Sequence, residues 1–279
     1  MMPPKILYKY LSFSGGLKTL KNTSLRYRHP NEFNDPFEFM PGGYTGDTQE
    51  ERLRRTIDLL CTNPQYWELY NSRNGTSFSQ FEWNELIQSN DPKVRDFTSI
   101  EFANRIFDGL QQRDWCQFRD NASKNVVFCS FSQNEKDILM WAHYADEHSG
   151  IVIGFDSSYF GNLHKVKYDK KRILIPLSST VNNNVLRASV EQIMTTKSLQ
   201  WKYEEEWRQI LSSREIEGQE TLLLKAFPVE SVLAVIFGYR MLARQKEEIQ
   251  ATFPKYPNLK TVMQARLHQR DFALEITAC

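Results

Sequence analysis

Two runs in this chain are apolar at nearly every position: Gly150-Ile151-Val152-Ile153-Gly154-Phe155-Asp156 and Val232-Leu233-Ala234-Val235-Ile236-Phe237-Gly238. A strand that is apolar on both sides must lie inside a sheet that is covered on both sides. With 279 residues, the chain is long enough to build such a covered core as one large domain or two small ones. Shorter strand-like segments surround the two runs, at Ile6–Leu11, Leu25–Tyr27, Val126–Ser132, Val166–Tyr168, Leu222–Phe227, Lys260–Leu267 and Asp271–Thr277. Ser14-Gly15-Gly16 is expected to break the chain after the first of these.

Helical spacing dominates from Thr48 to Trp115, carried by Leu53, Ile57 and Leu60 and then by Ile100, Ala103, Ile106, Phe107 and Leu110. Helices are also expected over 185–199 and 243–252, and after Asn134-Glu135-Lys136-Asp137, where Asn134 is the expected cap and Ile138, Trp141 and Ala145 the inner face. Many short strands with helices clustered in the first half point to an α+β fold, read here as a single domain 1–279 with a helical insertion or lid at roughly 48–120. The insertion's aromatics, Tyr66, Trp67, Tyr70, Phe78, Phe81 and Trp83, read as packing. Asn34-Asp35-Pro36 is turn chemistry, with Phe33 and Phe37 expected to pin it to the core.

Charge excludes some functions. Thirty-five basic residues against 34 acidic leave a formal charge of +1, so no global field holds nucleic acid or an anionic membrane. The four cysteines, Cys61, Cys116, Cys129 and Cys279, form no Cys-x-x-Cys pair, and neither a zinc site nor a disulfide framework is expected. The opening Met-Met-Pro-Pro-Lys lacks the apolar run of a signal peptide, and no stretch has the length of a membrane span. The expectation is a cytoplasmic protein with no membrane partner.

The chemistry concentrates in Trp201-Lys202-Tyr203-Glu204-Glu205-Glu206-Trp207-Arg208. As a strand, this stretch would put Glu204, Glu206 and Arg208 on one face and Tyr203, Glu205 and Trp207 on the other. Crowded carboxylates beside aromatic bulk resist joint ionisation, so at least one should titrate high, while Arg208 opposes that on its own face. The other reading is an exposed acidic turn between two tryptophans that pack inward. Gly-rich phosphate loops, His-Glu-x-x-His and a Gly-x-Ser-x-Gly elbow are all missing, and His143 and His148 do not make a compelling metal pair. Cys129 on its apolar strand reads as an inert thiol. The carboxylate cluster, the strand-end hydroxyls Ser130 and Ser132, and the aromatic and basic residues of the first strand suit cleavage of a glycosidic bond in a nucleotide. A carboxylate beside the ribose would steady the cationic sugar. A magnesium-dependent nuclease using Asp35, Glu38 and Glu204–Glu206 is one rival, and a non-enzymatic nucleotide- or partner-binding module is another.

Leu7-Tyr8-Lys9-Tyr10, Phe33-Asn34-Asp35-Pro36-Phe37-Glu38, Cys129-Ser130-Phe131-Ser132, Met140-Trp141-Ala142-His143-Tyr144-Ala145, Gly154-Phe155-Asp156 and Tyr203-Glu204-Glu205-Glu206-Trp207-Arg208 together resemble a bacterial domain-of-unknown-function family. A tyrosine-rich first strand, a hydroxyl-ended middle strand before an aromatic helix, and a late strand bearing Glu also resemble the ADP-ribosyltransferase superfamily, its DNA-modifying toxin branch above all. That resemblance implies a split, mixed or antiparallel sheet core and NAD as substrate. It implies Glu206 as the catalytic residue, with Glu204 or Glu205 as substitutes for it. The NAD-holding set it implies is Tyr8, Lys9, Tyr10, Ser130, Ser132, Trp141, His143, Tyr144 and Arg208, with Asn34, Asp35, Tyr203 and Glu204 as supports and no metal. Toxicity or phage defence, a nucleic-acid, protein or water acceptor and a cognate antitoxin are further implications. Lys9 departs from the pattern, which usually has His or Arg there.

Overall fold

The computed structural model describes residues 2–45, 48–111, 116, 119–121, 124–176, 183–219 and 222–279. Fifteen strands run along them: β1 Ile6–Leu11, β2 Ser24–Tyr27, β3 Gly43–Thr45, β4 Val126–Ser132, β5 Ile151–Asp156, β6 Leu163–Lys165, β7 Lys167–Asp169, β8 Leu174–Pro176, β9 Thr196–Ser198, β10 Glu206–Ser212, β11 Glu217–Gln219, β12 Leu222–Ala226, β13 Val232–Phe237, β14 Thr261–Leu267 and β15 Leu274–Ala278. Among the described residues the α-helices are α1 Phe13–Asn22, α2 Gln49–Thr62, α3 Pro64–Asn74, α4 Gln80–Gln88, α5 Ile100–Gln111, α6 Ile138–Tyr144, α7 Asn183–Met194 and α8 Ala243–Gln250. The fold is α+β around a mixed sheet.

The chain divides into two compact units. The first comprises Met1–Glu38, Arg119–Lys170 and Thr195–Cys279. Its sheet has the order β15-β14-β13-β5-β1-β4-β10-β6. All neighbours in it are antiparallel except β13 and β14. The two apolar runs become β5 and β13, side by side at its centre, and Ile151, Val152, Ile153 and Phe155 are fully buried. Both faces are covered, as their composition requires. On one face Leu7, Phe131, Ile153, Phe155, Trp207 and Phe237 join a core closed by Leu20 of α1 and Ile249 of α8. On the other, Tyr10, Val152 and Ile236 meet Met140 and Trp141 of α6. Each large side chain so buried contributes about 1.5–3 kcal/mol.

One seam in this sheet is weak. β5 pairs with β1 at every residue from Ile6 to Leu11, and β10 pairs with β4 along its whole length from Glu206 to Ser212. β1 and β4, by contrast, are in register at one pair alone, Tyr8 with Ser132. Beyond that pair the strands part, and Lys9 reaches across to donate from Nζ to the Ser130 carbonyl at 2.6 Å.

The second unit comprises Phe39–Phe118 and Lys171–Met194. It holds α2 to α5 and recruits β8 and α7 from far along the chain; β8 runs parallel to β3. The predicted insertion aromatics do pack: Tyr70 and Trp83 are buried with Leu60, Ile87 and Val94, and Tyr66, Trp67 and Phe78 lie against them. Phe81 instead is 71% exposed. Residues 112–115, within the expected helical stretch, lie outside the described residues.

Several local expectations are corrected. Ser14-Gly15-Gly16 lies inside α1, which Ser12 caps by accepting from the Gly15 N–H at 3.1 Å. Gly16 is there for closeness, since a Cβ would stand 2.4 Å from Ile151 Cδ1. The cap of α6 is Asp137, accepting from Met140 N at 2.9 Å, because Asn134 is already spent in a turn with Ser132. That shift rotates the helix, so Met140 is buried and Ile138 is 37% exposed. Phe33 does stack edge-on against Phe128, but Phe37 is 59% exposed. The tryptophan-bracketed stretch is not one strand: residues Leu199–Glu204 form a 3-10 turn, Glu205 sits at φ 43°, and β10 starts only at Glu206.

Candidate functional site

The weak seam positions the site. Tyr8, Ser132 and Glu206 are successive partners across β1, β4 and β10, so they share one rung and one face. Ser130 and Arg208 form the next rung on that face. A cleft of about 790 Å³ opens where β1 and β4 separate. Of the residues predicted from sequence, Tyr8, Lys9, Tyr10, Ser130, Ser132, Asn34, His143, Tyr144, Glu204 and Glu206 all line it.

Behind the cleft wall lies a buried ion cluster. Arg208, wholly buried, donates from Nε to Glu206 Oε1 at 2.8 Å and from Nη2 to Glu206 Oε2 at 2.9 Å. The same Nη2 also donates to Glu38, and the guanidinium lies 5.6 Å from the centre of the Phe33 ring. Lys197 Nζ is 2.7 Å from Glu204 Oε2, 3.6 Å from Glu206 and 3.7 Å from Glu38. Three carboxylates against two cations leave one formal negative charge when all are ionised. Such a cluster is costly to assemble, because each ion is stripped of water, and breaking it is costlier still.

The environments drive the carboxylates apart. Burial alone would raise Glu206, but Arg208 and Lys197 outweigh it and hold this acid below the usual carboxylate range. Burial and the neighbouring charge of Glu206 push Glu204 up to about 7. Burial also raises Glu38, against the pull of Arg208 and Lys197. Lys197 is lowered by burial, yet the three carboxylates leave it net raised. Glu204 is further tied to the cleft: Tyr144 donates to its Oε1 at 2.6 Å, and Asn34 Nδ2 donates to the Tyr144 hydroxyl at 3.1 Å. Tyr144 is raised by burial and by Glu204. The backbone N–H of Glu206 donates to the Tyr168 hydroxyl at 2.8 Å, fixing the strand's entry.

Other predicted residues do not reach the cleft. Trp141 is fully buried, donating its indole N–H to the Glu135 carbonyl at 2.8 Å, so it supports Tyr10 from behind. Arg208 is likewise sealed and serves the carboxylates. Asp35 is buried in its own turn, accepting from Phe37 N at 2.9 Å. Tyr203 packs beside the cleft helix, its ring 6.1 Å from that of His143. Lys9, by contrast, does line the cleft, but its ammonium is spent on the Ser130 carbonyl and lies near the Phe131 ring. Glu205 points away, to Gln133 and Asn134. Burial raises the Cys129 thiol above its ordinary value.

Sequence reasoning gave Glu38 a role only in the nuclease reading and missed Lys197 and Tyr168. No local pattern marks Lys197, which joins the carboxylates from β9. Among the described residues no three His, Cys, Asp or Glu side chains gather into a metal-holding set, and no helix is long and apolar enough to cross a membrane.

Fold and site together define an α+β protein with a carboxylate-lined cleft at a parted sheet seam. Residues 140–209, which carry Tyr144, Lys197, Glu204, Glu206 and Arg208, match a family model described as "Protein of unknown function (DUF2971)". The match covers about a quarter of the chain, and the likeness is to that stretch. No curated protein and no solved structure matches the chain.

Proposed function

We propose that this chain is an NAD-consuming enzyme of the ADP-ribosyltransferase kind, cleaving the nicotinamide glycosidic bond. The observation that carries the reading is the rung Tyr8–Ser132–Glu206 at the point where the sheet parts, with an ionised carboxylate at the cleft wall. As the C1′–N bond breaks, its electron pair passes to the pyridinium nitrogen, and positive charge is left on the ribose. Glu206, kept ionised by Arg208 and Lys197, would stabilise that charge. A carboxylate has about four lone-pair sites and Arg208 takes two, so Glu206 keeps capacity for a ribose hydroxyl. Tyr8 and Tyr10 offer ring surface to the departing base. Glu204, titrating near neutrality, is suited to take the proton of the incoming nucleophile, whether that belongs to nucleic acid, protein or water. Toxicity or phage defence with a cognate antitoxin fits such an activity.

Both oxygens of Glu206 already accept from Arg208, and this favours a second reading, a nucleotide-binding module without turnover. One experiment separates the two. Purified chain is incubated with NAD, with and without candidate acceptors, and free nicotinamide is measured while thermal unfolding is followed in parallel. Nicotinamide release supports the enzyme; protection against unfolding with no release supports the module and sinks the enzyme.

A further inference from the structure

Charges of both signs line the cleft. Glu38, Glu204, Glu206 and Asp146 line it. Lys18 of α1, Arg26 of β2 and Arg28, one residue past β2, line it as well. Arg26 of β2 and Arg28, one residue past it, share a face, since they alternate with the buried Leu25 and Tyr27. Leu224 of β12 is in register with Arg26, so it shares that face and adds an apolar wall. The cations there are not equivalent. Arg26 is committed to Glu32 at 3.0 Å, and Lys9 to the Ser130 carbonyl. Among the described residues neither Lys18 nor Arg28 makes a side-chain ion pair, though both face the cleft. The Arg28 backbone is fixed, its N–H and C=O both bonded to Phe128 at 2.9 Å, so its guanidinium projects from an anchored position.

We infer that Lys18 and Arg28 form the anion subsite of the cleft, holding the diphosphate of a nucleotide ligand while its ribose end lies toward Glu204 and Glu206. The identification of that ligand as NAD rests on the proposed function; the subsite itself rests on the charge and geometry of the cleft. Guanidinium and ammonium groups left unpaired in a partly enclosed groove favour phosphate over a neutral ligand, because fewer competing waters screen the pair. The reverse orientation would set the diphosphate against the carboxylates of the cleft wall, Glu206 above all, and like-charge repulsion disfavours it.

The test is calorimetric titration of the full chain with ADP, inorganic pyrophosphate and adenosine, for the parent protein and for Arg28→Gln, Lys18→Gln and the remote control Arg244→Gln. Both cleft residues are exposed, so the variants should keep the parent's circular dichroism. The expected result is that ADP and pyrophosphate bind the parent, that each cleft variant weakens both at least tenfold, and that the control and adenosine are indifferent to these changes. Unchanged ADP and pyrophosphate affinity in both cleft variants, or no binding of either to the parent, overturns the subsite. ADP binding that depends on Arg28 without any nicotinamide release keeps the subsite and removes the NAD reading. Nicotinamide release with ADP binding indifferent to both residues does the reverse.

Discussion

Arg208, itself sealed from water, meets both oxygens of Glu206 at 2.8 and 2.9 Å, two positions apart on one strand face. This fork keeps a buried acid ionised, and through Glu38 and Lys197 it ties the cleft wall to the core. The expected consequences of disturbing it are specific.

Glu206→Gln keeps the shape and removes the charge. Arg208 still has Glu38, so the fold should survive with a loss of about 1–3 kcal/mol. Nicotinamide release, if Glu206 steadies the ribosyl cation, should fall by about a hundredfold or more. Quantifying nicotinamide chromatographically beside urea unfolding checks both parts, and undiminished release removes Glu206 from the catalytic role.

Arg208→Gln leaves Glu38 and Glu206 buried with less countercharge, and should cost about 3–5 kcal/mol. Adding Glu38→Gln relieves one of the stranded charges, so the double variant should be more stable than Arg208→Gln alone. Urea midpoints of the two single variants and the double variant form the cycle; strictly additive losses would mean that the two residues are not coupled.

Glu204 makes stability depend on pH. Its carboxyl titrates near 7 when folded, against about 4.3 in an unfolded chain. Between those values the folded chain holds a proton that the unfolded chain has released. The stability contributed by Glu204 is therefore full below the unfolded value and is lost as pH rises through 7, with a slope of at most about 1.4 kcal/mol per pH unit. Glu206 runs the other way: its contribution persists at neutral pH and is lost only in acid. Unfolding free energies measured from pH 5 to 8 should decline in the parent and decline less steeply in Glu204→Gln, where Glu38, also raised by burial, still contributes. An equal decline in both would rule out Glu204 as the titrating group.

Gly150→Ala tests the frame that presents Tyr144. A Cβ at Gly150 would stand 2.2 Å from the Leu11 carbonyl oxygen and 2.8 Å from Ala145 backbone atoms. Backbone at that distance cannot step aside, so the change should cost about 3 kcal/mol. A calorimetric melting temperature within a degree of the parent's would show that the turn yields easily.

The chain's own pattern settled a good deal. Continuous apolarity put β5 and β13 inside a doubly covered sheet, and strand alternation put Glu206 and Arg208 on one face with Trp207 on the other. Those are consequences of bonding geometry repeated every two residues, so they are legible wherever a strand is. Alternation misled at Glu204, because a turn with Glu205 at positive φ precedes the strand. Even so, Glu204 returns to the cluster, drawn by Lys197.

Tertiary structure alone decided which charges meet. Glu38 lies 170 positions from Arg208, and no local periodicity records that they share a buried ion pair. The parting of β1 from β4 past Tyr8 is likewise a matter of what each strand pairs with on its other side. Charge pairing and strand separation are set through space, by desolvation and by competition for partners, and the order of residues along the chain does not encode either directly.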